Sequence, residues 1–305
     1  MDKICFYNIN HIGDIYFSSL FINLIAEQNK DMIFYYFCIS GDCFFYKNSN
    51  LIKINKTITN KYNKELVSGE PPENLLDNDF LTILNLLKEN NLEKKQFNNL
   101  TINNISFLFI NTWCITPLIH FEDFNIQSGI QGWNNLLYHL NLNLTKKINF
   151  VIKDRLDLVN IFTYYDNENI NKETLKDKVF IFNYKPRSLT LKSMDNIINQ
   201  ISQNHKVLLA NYEEKYSNNP NISFFDKEYN IYPTPDCINL IKMWDIIIHC
   251  KKIIIIPSGS SFTFFHKLKE IKKEQIYMFS SHHYCTILNN TINYLLNKQI
   301  NLINI

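Results

Sequence analysis

Glycine is scarce in this sequence. Only six glycines occur in 305 residues, whereas average usage would be about 7%. Because glycine adopts left-handed and other strained backbone conformations at little cost, each remaining glycine is more informative than usual. Two of them stand beside polar residues at the end of an apolar run, Gly13 in "NHIGD" and Gly259 in "PSGSS".

Cysteine pairs, strong net charge and long apolar runs are also absent. The seven cysteines form no C-x-x-C pair, which argues against a zinc site or a disulfide framework. The formal net charge is +2, without a basic stripe or a nucleic-acid motif. The apolar run "IIIHCKKIIII" is interrupted by Lys251 and Lys252 and is too short to span a bilayer. We expect a cytoplasmic protein with no nucleic-acid partner and at most peripheral contact with a membrane.

The remaining pattern alternates buried strands with amphipathic helices. The predicted strands are 3–8, 32–39, 105–111, 178–184, 206–211, 221–226, 251–257 and 275–280. The predicted helices are 15–28, 79–91, 131–141, 193–203, 236–249, 260–270 and 286–298. This rhythm is typical of parallel sheets covered on both faces. It predicts an α/β fold with two tandem Rossmann-like doubly wound domains, 1–172 and 173–305, and a cleft between the domains.

Two polar loops of the second domain are candidates for binding a ligand. In a doubly wound sheet, ligands bind outside the carboxyl ends of the strands where the strand order reverses. With the strand order 3-2-1-4-5, that point lies between the loops "KPRSLTLK" and "PSGSS". Each loop precedes a predicted helix, whose amino terminus favours anions.

The side chains of these loops suit a diphosphate. The first loop offers cations and a hydroxyl, and the second offers hydroxyls and a glycine that allows close backbone approach. The candidate donor-binding residues are Lys185, Arg187, Ser188, Lys192, Ser258, Gly259, Ser260 and Ser261. Neither loop contains a carboxylate that could hold a metal. A helix cap at Ser258 or Ser260 and a solvated role for the lysines stay open as alternatives.

The amino-terminal loop "NHIGD" has a different character. Gly13 is the candidate for a tight turn between the first strand and its helix. Asp14 stands at the start of that helix, where the helix dipole favours a negative charge. It could act as a general base or only cap the helix. His11 is a second candidate base or sugar contact.

Two further groups could bind a metal but match metal sites poorly. Asp77, Asn78 and Asp79 form a D-x-D sequence, which here is typical of a helix start. His282 and His283 are adjacent near Cys285 and lack the helical spacing of metal ligands. We therefore predict neither a metal nor another cofactor.

The stretches "NHIGDIYFSSLFINLI" and "IIIIPSGSSFTFFHKL" resemble the heptosyltransferase-like GT-B glycosyltransferases (family 9). That family has a Gly-Asp before its first helix and a Ser/Thr-Gly turn after the fourth strand of its second domain. The resemblance implies a nucleotide-sugar donor in the second domain, an acceptor in the first, and metal-independent inverting transfer. Asp14 would be the base, and residues 258–261 would contact the donor phosphates opposite Lys185, Arg187 and Lys192.

The resemblance is confined to short stretches and includes departures. The family pattern is Asp-Ser/Thr-Gly-x-x-His, whereas this chain has Pro257 and Phe262 at the Asp and His positions. His266 lies one helical turn further on. The "SGSSF" turn is also similar to that of fucosyltransferase-type GT-B enzymes, which bind a GDP-sugar.

The sequence therefore favours a glycosyltransferase that uses a nucleoside-diphosphate sugar and a glycan, glycolipid or other hydroxyl acceptor. The alternative is a nucleotide-sugar epimerase or hydrolase, or a protein that binds a phosphorylated ligand without catalysis. An epimerase needs a further acid/base pair near the sugar. The only carboxylates near the second-domain loops are Glu213, Glu214 and Asp226. Residues 229–240 are expected to line the nucleobase of the donor.

Overall fold

The computed structural model describes residues 3–8, 12–38, 42–45, 49–54, 57–59, 65–67, 85, 96–102, 104–113, 115, 126–158, 171–183, 194–232, 237–255, 263–264, 267, 270–279, 290, 292–293 and 301–303. The chain divides into two units, Met1–Thr163 and Tyr164–Ile305. The predicted functional domains 1–172 and 173–305 stay a prediction. Each unit contains a mainly or wholly parallel sheet, which confirms the predicted α/β class.

The strands of the first unit are β1 (Lys3–Asn8), β2 (Phe34–Cys38), β3 (Leu51–Lys53), β4 (Thr57–Thr59), β5 (Glu65–Val67), β6 (Phe97–Ile102) and β7 (Ile105–Asn111). Five of them form a sheet in the order β3-β2-β1-β7-β6, and β4 pairs with β5 in a separate antiparallel ribbon. β1 is parallel to both of its neighbours, β2 and β7. Its side chains are buried from Ile4 to Asn8, as expected for a central parallel strand.

The strand β6 departs from the predicted parallel pattern. It pairs with β7 in an antiparallel hairpin whose turn contains Asn104, at a φ of 63°. Asparagine tolerates this left-handed conformation better than most residues, so it suits a tight hairpin turn. The sequence "FNNLTI" contains two asparagines, which are depleted in strands, and the strand was therefore not predicted.

The described helices of the first unit are α1 (Ile12–Gln28) and α2 (Ile126–Asn143), with short 3₁₀ helices at Asp42–Phe45 and Arg155–Leu158. Both α-helices meet through aromatic rings. Trp133 of α2 stacks on Phe21 of α1 at 5.4 Å between ring centroids and lies 5.8 Å from Phe6 of β1. These contacts place α1 and α2 on the same face of the sheet. The helix predicted for 15–28 begins earlier, at Ile12, and the one predicted for 131–141 is longer at both ends.

The strands of the second unit are β8 (Lys178–Ile181), β9 (Lys206–Leu209), β10 (Ile222–Phe224), β11 (Lys252–Ile255), β12 (Ile276–Phe279) and β13 (Asn301–Ile303). They form one sheet in the order β10-β9-β8-β11-β12-β13, with every pair parallel. This is the doubly wound order 3-2-1-4-5-6. It confirms the predicted order of the first five strands and adds β13, which was not predicted.

The described helices of the second unit are α3 (Met194–Asn204), α4 (Phe225–Tyr229) and α5 (Cys237–Ile247), with 3₁₀ helices at Lys172–Leu175, Glu214–Tyr216 and Lys273–Gln275. α3 and α5 match the helices predicted for 193–203 and 236–249 to within two residues at each end. The helices predicted for 79–91, 260–270 and 286–298 lie mostly outside the described residues. Val179, Ile198, Val207 and Ile254 belong to one apolar cluster, so α3 packs on the sheet.

Candidate functional site

The winding of the second sheet reverses between β8 and β11. The chain passes from β8 to β9 on one side and returns to β11 on the other, and β11 pairs directly with β8 through Ile254↔Ile181. Beyond this pair, the Phe182 N–H donates to the Ile254 carbonyl at 3.0 Å. The two strands therefore end side by side at the carboxyl edge of the sheet. This is the position at which open α/β sheets bind ligands.

The two loops that carry the predicted donor site leave the sheet from these two strand ends. The described residues stop at Asn183 after β8 and at Ile255 after β11. The predicted donor residues Lys185, Arg187, Ser188, Lys192, Ser258, Gly259, Ser260 and Ser261 lie outside the described residues. Their contacts with a ligand stay a prediction, while the strands that precede them are adjacent as predicted.

Asn183 connects the end of β8 to the end of β9. Its side chain is buried, and its Nδ2 donates to the Asn211 carbonyl at 3.0 Å and to Glu213 Oε1 at 2.8 Å. Its Oδ1 accepts from the Asn211 N–H at 2.8 Å. One side chain thus satisfies both backbone groups of Asn211 and orients Glu213. Sequence reasoning missed Asn183, because it lies inside the strand predicted for 178–184 and asparagine is common throughout the chain.

Two of the three carboxylates of this region, Glu213 and Asp226, have structural partners. Glu213 also pairs with Lys215 at 3.1 Å. Asp226 is buried, and its Oδ2 accepts from the Tyr212 N–H at 3.0 Å. Glu214 begins a 3₁₀ helix and is exposed. Glu213 and Asp226 therefore organise the ends of β8, β9 and β10.

Lys215 extends this network towards α3. Its Nζ lies 2.6 Å from Asp195 Oδ1, and the Tyr216 hydroxyl donates to the same oxygen at 2.6 Å. The Asp195 hydrogen bond, with a further contribution from Glu213, raises the pKa of Lys215 above its usual value. The lysine therefore stays charged and bridges the two carboxylates.

Asp14 lies in the first turn of α1, which begins at Ile12. It is 2% exposed, so it is buried and not a solvated surface carboxylate. The helix dipole favours negative charge in this turn. Gly13 is buried in the same helical turn. The connection from β1 to the helix therefore precedes Gly13. His11 lies outside the described residues.

A group of buried polar residues surrounds the carboxyl ends of β1 and β7. Asn8 ends β1 and donates through Nδ2 to Ser18 Oγ of α1 at 3.4 Å. Thr112 donates to the Tyr7 carbonyl through its N–H at 3.0 Å and its hydroxyl at 3.1 Å. Asn111 Oδ1 accepts from the Trp113 N–H at 3.1 Å. Because β2 and β7 flank β1 on opposite sides, these residues lie where the winding of the first sheet reverses.

The described part of the chain contains no cluster of three or more His, Cys, Asp and Glu side chains that could hold a metal ion. Asp77, Asn78 and Asp79 lie outside it, as do His282, His283, Cys285 and His266. Among the described helices, none has both the length and the apolar character needed to cross a bilayer.

Two solved structures are similar to this chain over nearly its whole length. The first is the crystal structure of a glycosyl transferase family 9 protein from Veillonella parvula DSM 2008, with 10% identity and a TM-score of 0.43, covering 100% of this chain and 86% of that chain. The second is the E. coli heptosyltransferase WaaC with ADP, with 7% identity and a TM-score of 0.42, covering 99% of this chain and 93% of that chain. No family model and no curated protein matches the chain.

Proposed function

We propose that this protein is a glycosyltransferase that moves a sugar from a nucleoside-diphosphate sugar to a hydroxyl acceptor. The observation that carries the proposal is the direct pairing of β8 with β11 at the point where the winding reverses. Two loops rich in cations and hydroxyls begin at these adjacent strand ends. A diphosphate is the ligand whose charge and size fit such a pair of loops.

The donor loops would stabilise the leaving group. When the bond between the anomeric carbon and the diphosphate oxygen breaks, the oxygen takes the electron pair and gains negative charge. Lys185, Arg187 and Lys192 would balance this charge, and the N–H groups and hydroxyls of residues 258–261 would donate to the phosphate oxygens. Because neither loop contains a carboxylate, we propose that side-chain and backbone donors replace a metal ion in this role.

Asp14 would supply the general base. Its carboxylate takes the proton of the acceptor hydroxyl as that oxygen bonds to the anomeric carbon. A single displacement of this kind inverts the configuration at that carbon. Its burial and its position in the first turn of α1 support this role, since both are features of a carboxylate held in place by the fold. The polar side chains of Asn8, Ser18 and Asn111 near the same edge would then face the acceptor.

The epimerase alternative is less well supported. That reaction needs an acid/base pair near the sugar, and the candidates were Glu213, Glu214 and Asp226. Glu213 is bonded to Asn183 and Lys215, and Asp226 holds the Tyr212 N–H. These interactions give both carboxylates a structural role, so a transferase accounts for the described residues with fewer added assumptions.

Calorimetric titration with UDP, GDP and ADP tests the donor site. We expect one of the three diphosphates to bind, and Lys185→Ala and Arg187→Ala to weaken it about tenfold or more because each removes a charge-assisted contact. Lys206→Ala removes an exposed lysine at the start of β9, the opposite edge of the sheet, and should leave the affinity unchanged. Binding of none of the three nucleotides would contradict the proposed function.

A further inference from the structure

Trp244 packs against residues that flank both predicted donor loops. It belongs to α5 and is fully buried. Its ring centroid is 5.6 Å from that of Phe182 and 5.4 Å from that of Phe264. Phe182 directly follows β8 and precedes the loop that starts at Lys185, while Phe264 follows the turn at residues 258–261. A single side chain therefore contacts the chain before one loop and after the other.

The contact with the segment after the second loop includes a hydrogen bond. Trp244 Nε1 donates to Thr263 Oγ1 at 2.7 Å, and both residues are fully buried. A buried indole N–H is costly to leave without an acceptor, so this bond restrains where Thr263 can lie. Thr263 is two residues beyond Ser261, which brings the restraint close to the turn itself.

The neighbouring residue of α5 anchors the next part of the same segment. Lys267 Nζ lies 3.1 Å from Asp245 Oδ1, and these side chains are 6% and 4% exposed. Lys267 also lies 3.0 Å from Glu270. Removing one partner of such a pair leaves a buried charge unpaired and strongly destabilises the folded protein. α5 therefore holds the segment that follows β11 at two successive points, through Trp244 and through Asp245.

We propose that Trp244 is a positioning residue for the donor phosphates. It fixes Thr263 and Phe182, and thereby the ends of the two phosphate-binding loops. This inference rests on the proposed function. Preorganised donors bind a charged group tightly because they need not be reordered when the ligand arrives. Loss of the Trp244–Thr263 bond should therefore lower the affinity for the phosphate groups and leave the affinity for the nucleoside unchanged.

The test compares two ligands on matched variants of the full chain. Thr263→Val removes the acceptor and keeps the side-chain shape, Thr263→Ser retains the hydroxyl, and Trp244→Phe removes the donor. Trp133→Phe is the control, because Trp133 is a buried tryptophan of the first unit whose Nε1 has no hydrogen-bond partner within the described part of the chain. For each variant, the Kd is measured for the nucleoside diphosphate that the wild type binds and, by competition, for the corresponding nucleoside.

We expect Thr263→Val and Trp244→Phe to raise the Kd of the diphosphate about tenfold, in line with one lost buried hydrogen bond, with the Kd of the nucleoside unchanged. Thr263→Ser and Trp133→Phe should match the wild type for both ligands. If Trp244→Phe does not fold, Thr263→Val alone decides the outcome. Unchanged diphosphate binding, or equal weakening of both ligands, would overturn the positioning role while leaving the proposed function standing. A wild type that binds no diphosphate would overturn both.

Discussion

The side-chain amide of Asn183 donates to Glu213 Oε1 at 2.8 Å, across the ends of β8 and β9. The same amide group satisfies both backbone groups of Asn211. Asn183 is the last described residue before the first predicted donor loop. The bond therefore links the start of that loop to the neighbouring strand end. Exchanging the amide and the carboxylate between the two residues tests which side chain is the donor.

The variant Asn183→Asp should destabilise the protein. It places two carboxylates at hydrogen-bond distance and removes the donor to the Asn211 carbonyl, so we expect a loss of about 1–3 kcal/mol in the free energy of unfolding. Urea unfolding at neutral pH measures this change. Adding Glu213→Gln restores a donor opposite the introduced carboxylate and should recover part of the loss. A double variant no more stable than Asn183→Asp would show that the two side chains do not interact.

Gly132→Ala should destabilise the first unit, although alanine is the better helix former. A Cβ at this position of α2 would lie 3.0 Å from the Ile115 carbonyl oxygen, a backbone atom. Helix propensity alone predicts a gain of about 1 kcal/mol, whereas overpacking costs about 1–3 kcal/mol. We expect the overpacking to exceed the gain. Asn134→Ala, at an exposed position of the same helix, is the control and should not destabilise. A Gly132→Ala protein with a higher urea midpoint would contradict the close approach.

His249 should make stability depend on pH. Burial lowers the pKa of its imidazole below the usual 6.5, and the positive charge of Lys172 adds to the effect. In the window at and just below pH 6.5 the unfolded chain therefore binds more protons than the folded one, and stability falls as the pH drops. His249→Gln should flatten this fall, measured as the melting temperature at pH 7 and pH 5. His139→Gln, at an exposed position of α2, is the control. An equal slope in wild type and His249→Gln would contradict the expectation.

Strong apolar periodicity made the central strands predictable. β1 and β7 have the predicted bounds, and the order of the second sheet follows from the alternation of strands and helices. The start of α1 was placed too late because Gly13 and Asp14 are poor helix formers, yet in a first turn the orphan N–H groups and the dipole reduce that disadvantage.

The polar residues of the two sheet edges could not be selected from the sequence. Asparagine is abundant throughout the chain, so no local pattern distinguishes Asn8, Asn111 and Asn183 from exposed asparagines. Their burial depends on which strands are neighbours, a property that emerges only when distant segments pair. Trp244 was missed for the same reason, because its contacts with Phe182 and Phe264 join three separate parts of the chain.

Asp14→Asn should remove catalysis and retain donor binding. The amide keeps the size of the side chain but cannot accept the acceptor's proton, so kcat should fall about 100- to 10,000-fold. The Kd of the nucleoside diphosphate should stay at the wild-type value, because the proposed donor residues belong to the second unit. A matched loss of diphosphate affinity would indicate a structural role for Asp14. Transfer activity that survives the substitution would exclude it as the base.

The release of nucleoside diphosphate from a panel of nucleotide sugars, with and without sugar acceptors, tests the proposed glycosyl transfer most directly. For the wild type we predict release from one donor that depends on an added acceptor, with formation of an inverted glycoside in equal amount and no effect of EDTA. For Asp14→Asn we predict release at no more than about one hundredth of that rate. Release that does not depend on any acceptor, or no release from any nucleotide sugar, would contradict transfer.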